Sequence, residues 1–125
     1  ATIEHYLASL AGPVGAAIEA FDPTWVLISA GYDAHRRDPL CGLALTDADF
    51  GLLTTELMGW SRPGRRILFL EGGYDLEGLR DSVRATLSSL TDAGLDPVDG
   101  YSGGGPGSEL VANLTEARAR LGLPT

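Results

Sequence analysis

Two short apolar runs set the architecture: WVLISAG at residues 25–31 and RILFLE at residues 66–71. Neither run alternates apolar with polar residues, which is typical of strands that are buried on both faces of a parallel sheet. Parallel neighbours need a crossover connection, and the stretch between the two runs is long enough to hold a helix. The sequence therefore predicts two parallel strands joined by a helix.

Helices are predicted before, between and after the strands, because apolar residues recur there at spacings of three and four. Thr46, followed three residues later by Asp49, resembles a capping box at the start of the central helix. The Gly12-Pro13 pair should kink or restart the first helix. The predicted helices are residues 3–21, residues 47–60, the segment from Asp75 to Leu90, and a short terminal helix containing Leu110 to Leu121.

The alternation of strands and helices predicts an α/β fold with a parallel sheet and a ligand crevice at the carboxyl ends of the strands. We divide the chain into residues 1–98, a flexible glycine-rich linker at residues 99–107, and a terminal helix of the same domain at residues 108–125. Two strands leave both edges of the sheet open. This indicates an incomplete fold and predicts self-association through an exposed sheet edge.

Composition argues against several classes of function. The formal net charge is −8, so the chain lacks the clustered cations that bind nucleic acid or an anionic membrane surface. Cys41 is the only cysteine, which argues against a disulfide framework and predicts a reducing, cytoplasmic location. No run reaches the roughly 20 apolar residues that a membrane span needs, and residues 1–12 lack the features of a signal peptide.

Two loops begin where the predicted strands end. They read SAGYDAHRRDPL at residues 29–40 and EGGYDL at residues 71–76. Open parallel sheets bind their ligands at the carboxyl ends of the strands, and the small residues in both loops let the backbone approach a ligand closely. We therefore expect these two motif loops to form the functional site.

Together and in this order, the motif loops resemble the histone deacetylase and acetylpolyamine amidohydrolase family. In that family a strand ending in S-A-G-F/Y-D is followed by D-P-L, and E-G-G-Y comes at the next strand end. The resemblance runs from about Phe21 to Leu90. It implies the C-terminal portion of an arginase/deacetylase-like fold, which is a partial three-layer α/β structure. It also implies a zinc-dependent hydrolase that releases acetate from acetylated lysine or an acetylated polyamine.

The resemblance assigns roles to five residues. Asp33 matches a zinc ligand, and Tyr74 matches the catalytic tyrosine that donates a hydrogen bond to the acetyl carbonyl as negative charge develops there. Leu40, Gly72 and Gly73 match the substrate-binding tunnel, with the leucine in its wall and the glycines at its floor. Three of them have an ordinary alternative: Asp33 as a cap, Tyr74 with a buried ring, and Leu40 in the core.

Two other polar side chains in the first motif loop are assigned no part in the chemistry. His35 follows Asp33 by two residues and matches no metal position of the family, so we expect a loop or surface side chain. Asp38 is expected to hold the loop through hydrogen bonds to Arg36, Arg37 or backbone amides.

The family places an Asp-x-His ligand pair and a His-His dyad earlier in its chain. Neither occurs in this sequence, whose two histidines are His5 and His35. The chain alone is therefore expected to bind zinc weakly and to be inactive. One alternative is a noncatalytic fragment or protein-interaction module derived from the family. A nucleotide-binding fold is disfavoured, because G-x-G-x-x-G is absent and Asp75 would repel a phosphate.

Overall fold

The computed structural model describes the whole chain, Ala1–Thr125, and contains five helices and two strands. The first helical stretch is divided at Gly12, with Pro13 in the first turn of the second helix, as the Gly-Pro pair predicted. No helix is both long enough and apolar enough to cross a membrane. In chain order the elements are α1 (Ile3–Ala11), α2 (Pro13–Phe21), β1 (Val26–Gly31), α3 (Asp47–Met58), β2 (Arg66–Gly72), α4 (Leu76–Thr91) and α5 (Ser108–Arg120).

β1 and β2 form a two-stranded parallel sheet, which confirms the predicted pairing and the helical crossover through α3. The register runs from Val26 opposite Arg66 to Gly31 opposite Gly72, with one irregularity between Ala30 and Gly31. The carboxyl ends of both strands therefore meet at one edge of the sheet, and the motif loops begin side by side.

α3 and α4 pack against each other on one face of the sheet. The helices are close at Gly51 of α3, where an added Cβ atom would be in van der Waals contact with Ala85 and Ser89 of α4. The Ser89 hydroxyl donates a hydrogen bond to the Gly51 carbonyl at 2.8 Å. The fully buried hydrophobic cluster is small and lies between the first motif loop and α3. It consists of Tyr32, Leu45 and Phe50.

The other face of the sheet is uncovered in this chain. Leu27 is 65% exposed and Phe69 is 48% exposed, and Ile67, which pairs with Leu27, is exposed as well. The prediction that the strands are buried on both faces is therefore wrong for this chain, because α3 and α4 both pack on the same side. One of the three layers of the expected fold is missing here. We call Leu27, Ile67 and Phe69 the bare sheet face.

The glycine-rich segment is held against α3. Asp47 accepts hydrogen bonds from the backbone N–H groups of Val98 and Asp99 at 2.6 and 3.0 Å, and Asp49 accepts one from Ser102 at 3.0 Å. Both carboxylates lie in the first turn of α3, where the helix dipole favours negative charge. The predicted linker has no regular structure, and these hydrogen bonds hold its first residues against α3. Beyond it, α5 packs beside α1 and α2.

Candidate functional site

Asp33 lies just beyond the end of β1, against the backbone of both strands. A Cβ atom added to Gly72 would lie 3.1 Å from the carboxyl carbon of Asp33, and one added to Gly31 would lie 3.0 Å from its Oδ1. The carboxylate therefore occupies the space that side chains at the two glycines would fill. Glycine at both strand ends is what allows Asp33 its place.

The carboxylate of Asp33 forms no ion pair within the chain and caps neither α3 nor α4. The neighbouring helices are capped by other residues, α3 by Thr46 and α4 by Asp75, whose carboxylate accepts a hydrogen bond from the Gly78 N–H at 2.6 Å. The alternative role of Asp33 as a helix cap is therefore wrong. An unengaged carboxylate at a strand end suits a metal ligand.

Tyr6 of α1 is a neighbour of this site that motif spacing did not single out. Burial raises the pKa of its phenol, and the charges of Cys41 and Asp33 raise it further. The hydroxyl therefore keeps its proton and remains a hydrogen-bond donor at neutral pH. Helical periodicity placed Tyr6 on the first helix but did not reveal which loop that helix packs against.

Tyr74 lies in the loop after β2 and is 57% exposed, so the alternative of a buried ring is wrong. Its backbone N–H donates a hydrogen bond to Oδ2 of Asp38 at 2.8 Å, across a sequence separation of 36 residues. Gly73 has a φ of 121°, which residues with a Cβ rarely adopt, and a Cβ there would also lie 3.0 Å from that of Tyr32. The ring of Tyr74 is thus open to solvent while its backbone is fixed.

Asp38 joins the two motif loops. One carboxylate oxygen accepts hydrogen bonds from the backbone N–H groups of Leu40 at 2.8 Å and Cys41 at 3.3 Å, and the other accepts from Tyr74. Burial opposes the charge, but the backbone donors outweigh it and hold the pKa of Asp38 below its ordinary value. The structural role predicted for Asp38 is confirmed, with backbone amides as its partners. The aspartate of D-P-L therefore positions the tyrosine of E-G-G-Y.

The two arginines of the first motif loop form ion pairs with residues outside that loop. Arg36 pairs with Asp99 of the glycine-rich segment at 2.8 Å, and Arg37 pairs with Asp81 of α4 at 3.2 Å. A hydrogen bond from Arg80, together with Arg37, holds the pKa of Asp81 below its ordinary value although Asp81 is buried. The loop that carries Asp33 is thus tied to the second motif loop, to α4 and to the glycine-rich segment.

Replacing Asp38 with asparagine is expected to lower the melting temperature at neutral pH by several degrees. One oxygen becomes an NH₂ group, which would face a backbone N–H instead of accepting from it. The effect should shrink in acid. The pKa of Asp38 is lower in the folded chain than its ordinary value of 3.8, so its stabilisation is present above that pH and is lost as the pH falls through the folded value.

Thermal unfolding followed by circular dichroism, at neutral pH and at about pH 3, measures both effects. Asp22→Asn is the matched control, because Asp22 is exposed and its left-handed conformation suits asparagine. It should leave the melting temperature unchanged. An Asp38→Asn loss no larger than that of the control, or one that is the same at both pH values, would contradict the prediction.

Leu40 is 72% exposed, in the turn that Asp38 holds. The alternative assignment of Leu40 to the core is therefore wrong. A single exposed leucine needs no explanation by itself, and the backbone of this one is held by Asp38.

His35 lies in the first motif loop, as expected, but its side chain is only 1% exposed, so the alternative of a surface position is wrong. Its ring stacks on Phe50 with 6.4 Å between centroids, and a Cβ added to Gly78 of α4 would lie 2.8 Å from its Nδ1. Nδ1 accepts a hydrogen bond from the Arg37 backbone N–H at 3.2 Å, whereas Nε2 has no partner. Burial, and then the charge of Arg37, lowers the pKa of His35, so the ring is neutral at neutral pH.

The family model described as "Histone deacetylase domain" matches residues 1–90, which include both motif loops. The chain belongs to the histone deacetylase family. It is 45% identical over 84 residues to "Histone deacetylase 10, chloroplastic" of Oryza sativa subsp. japonica, which covers 62% of the chain and 18% of the relative. It is 39% identical over 96 residues to human "Histone deacetylase 9", which covers 75% of the chain and 9% of the relative.

Solved structures of histone deacetylases share the fold. The HDA15 HD domain superposes with a TM-score of 0.79 at 28% identity, over 94% of this chain and 31% of that chain. The histone deacetylase Clr3 superposes with the same TM-score and identity, over 94% of this chain and 20% of that chain. The superposition confirms the prediction that the chain has part of the α/β deacetylase fold. The chain spans about a fifth or less of the length of the curated relatives.

Histone deacetylases are generally zinc-dependent, and Asp33 fits one position of such a site. Its carboxylate forms no ion pair and lies against the backbone of Gly31 and Gly72. A catalytic zinc is held by three protein ligands and keeps one open position. The one group of three ligand-type side chains that lie close together in this chain is His35, Asp47 and Asp99, which leaves out Asp33. No second ligand-type side chain of this chain therefore joins Asp33 in such a group.

Proposed function

We propose that this chain carries one side of a zinc-dependent deacetylase active site. The reaction is hydrolysis of the N-acetyl amide of an acetylated lysine or an acetylated polyamine to an amine and acetate. The observation that supports this most is the hydrogen bond from the Tyr74 N–H to Asp38, which fixes the second motif loop beside the loop that carries Asp33. Membership of the histone deacetylase family points the same way.

Each motif residue has a distinct task in this proposal. Asp33 is the ligand that the chain gives to zinc, which when bound polarises the amide carbonyl and activates water for attack. Tyr74 donates a hydrogen bond from its phenol to the carbonyl oxygen as negative charge develops there. Leu40, Gly72 and Gly73 receive the alkyl chain of the substrate, the leucine as an apolar wall and the glycines by leaving room.

The remaining zinc ligands and the general base come from a further polypeptide part in this proposal. Neither histidine of the chain can serve. His5 accepts a hydrogen bond from the Thr2 N–H at the start of α1, and His35 is buried. The chain alone therefore binds zinc only weakly through Asp33 and is inactive, because a catalytic zinc is held by three protein ligands.

The test is a chimaera in which this chain replaces the matching 31% of the HDA15 HD domain chain. The HDA15 chimaera is expected to release acetate from an acetyl-lysine peptide or from an acetylated polyamine, whereas the chain alone with added zinc releases none. Assaying both substrates separates the two substrate classes. A folded chimaera that hydrolyses neither would refute the proposal. Turnover by the chain alone would refute the need for further ligands.

A noncatalytic interaction module is the second candidate function, and the bare sheet face favours it. Exposed apolar patches on soluble domains commonly mark surfaces that bind another protein. The open edges of the two strands add unpaired backbone groups at the same place. An inactive chimaera together with a stable complex at this face would support the module over the enzyme.

We expect the isolated chain to self-associate through the bare sheet face and the open sheet edges. The double variant Leu27→Ser, Phe69→Ser should weaken the self-association constant by roughly tenfold or more, because each substitution removes a large apolar contact. Sedimentation over a range of concentrations measures the constant. Leu121→Ser is the matched control, since Leu121 is similarly exposed but lies after α5. Equal constants for both variants would contradict the prediction.

A further inference from the structure

His35 is left without a role by the proposed chemistry, yet its Nε2 atom is buried and has no hydrogen-bond partner. Ser82 Oγ is the only other buried side-chain polar atom in this condition. A buried donor without a partner costs free energy, so such an atom calls for an explanation. The surroundings of His35 provide one, because ligand-type atoms of His35, Asp47 and Asp99 lie within 4.8 Å of one another.

The hydrogen bond at the other ring nitrogen determines what Nε2 can do. Nδ1 accepts from the Arg37 N–H at 3.2 Å, so Nδ1 carries a lone pair and the proton of the neutral ring is on Nε2. Nε2 of His35 is therefore a donor and has no lone pair for a metal ion. The group is also small enough for one water molecule to reach all three residues. Their ligand-type atoms lie within 4.8 Å of one another, and a water with hydrogen bonds of about 2.8 Å spans about 4.6 Å between two partners.

We propose that His35 is a positioning residue for Asp33, and that its Nε2–H group is linked to the carboxylates of Asp47 and Asp99 through one buried water molecule. The water accepts the hydrogen bond from Nε2 and donates one to each carboxylate, which gives the donor its partner and the water three. This inference rests on the proposed role of Asp33 as a zinc ligand.

The link joins three separate segments: the first motif loop, the first turn of α3 and the glycine-rich segment. Asp47 is buried and already accepts hydrogen bonds from two backbone N–H groups of the glycine-rich segment. Asp99 is held by Arg36 at 2.8 Å. Both acceptors are thus fixed independently of His35. Because His35 follows Asp33 by two residues, anchoring its ring restricts the backbone that presents the Asp33 carboxylate.

The first test compares His35→Gln with His35→Leu in the full chain. The amide nitrogen of glutamine can replace Nε2 as a donor, whereas leucine fills similar space and donates nothing. Hydrogen exchange of the backbone amides of residues 32–38 is followed by NMR. We expect rates within about twofold of wild type in His35→Gln and faster by about tenfold or more in His35→Leu. His5→Gln, at the only other histidine, is the matched control and should not change exchange in this loop.

The second test uses kinetics of the HDA15 chimaera. His35→Leu should lower kcat by roughly 10- to 100-fold with little change in KM, and His35→Gln should stay near wild type. A packing role alone would make leucine at least as good as glutamine, so equal effects of the two variants would overturn the inference. The inference would also be overturned if His35→Gln abolished zinc binding while Asp33→Asn left zinc binding intact. An inactive wild-type chimaera would refute the proposed function but leave the His35 link to be decided by the exchange rates.

Discussion

Tyr74→Phe in the HDA15 chimaera is expected to lower kcat by about 10²- to 10³-fold, with KM for the acetylated substrate nearly unchanged. The substitution removes only the hydroxyl of an exposed residue whose backbone Asp38 holds. The lost hydrogen bond is strongest when the carbonyl oxygen carries negative charge, so its loss affects the transition state more than the bound substrate. Steady-state kinetics of acetate release measure both constants.

Tyr101→Phe is the matched control for this substitution. Tyr101 is also exposed, but it lies in the glycine-rich segment beside α3 and α4. It should leave kcat unchanged, and both variants should unfold at the wild-type temperature because neither ring is buried. Full activity in Tyr74→Phe would show that another group stabilises the carbonyl oxygen and that the family resemblance assigns this tyrosine wrongly.

The regular elements were predictable because their signals are local. Thr46 and Asp49 form the predicted capping box, in which the Thr46 N–H donates to Asp49 at 2.9 Å and the Asp49 N–H donates back at 3.4 Å. Asp75 caps α4 where the sequence indicated a helix start. The break at Gly12-Pro13 needs no tertiary contact to explain it. Such features are encoded within a few residues and hold whatever surrounds them.

Burial of the strands was not predictable in the same way. An apolar run such as the one around Leu27 predicts a strand that is buried on both faces. It does not indicate which part of the polypeptide packs against each face. In this chain α3 and α4 supply one side only, and Leu27 and Phe69 remain exposed on the other. The glycine-rich segment is a second example. Its composition is typical of a linker and does not reveal that Asp47 accepts hydrogen bonds from the backbone at its start.

The motif residues of the site were predictable, but the contacts that support them were not. Asp38 meets the Tyr74 N–H from 36 residues away, and His35 is buried partly because Gly78 of α4 lets the ring approach. These contacts depend on how separate elements pack, and no periodicity within one segment carries that information. The D-P-L and E-G-G-Y motifs contain these two residues but do not reveal that a hydrogen bond joins them.

Asp33→Asn in the HDA15 chimaera is expected to abolish measurable acetate release and to weaken binding of the catalytic zinc by more than about 100-fold. Asparagine has the shape of aspartate and fits the space that Gly31 and Gly72 leave, so the loop should keep its conformation. The variant loses the negative charge that makes a carboxylate oxygen a good zinc ligand. Zinc content after dialysis, together with acetate release, measures both effects.

Asp92→Asn is the matched control, because Asp92 is exposed at the end of α4 in a left-handed conformation that asparagine also adopts. It should keep both zinc and activity. Melting temperatures equal to wild type in both variants would attribute the loss at Asp33 to the ligand rather than to the fold. An Asp33→Asn chimaera that retains a full equivalent of zinc and hydrolyses the substrate at the wild-type rate would show that the metal is held elsewhere. The unengaged carboxylate at the end of β1 would then need another explanation.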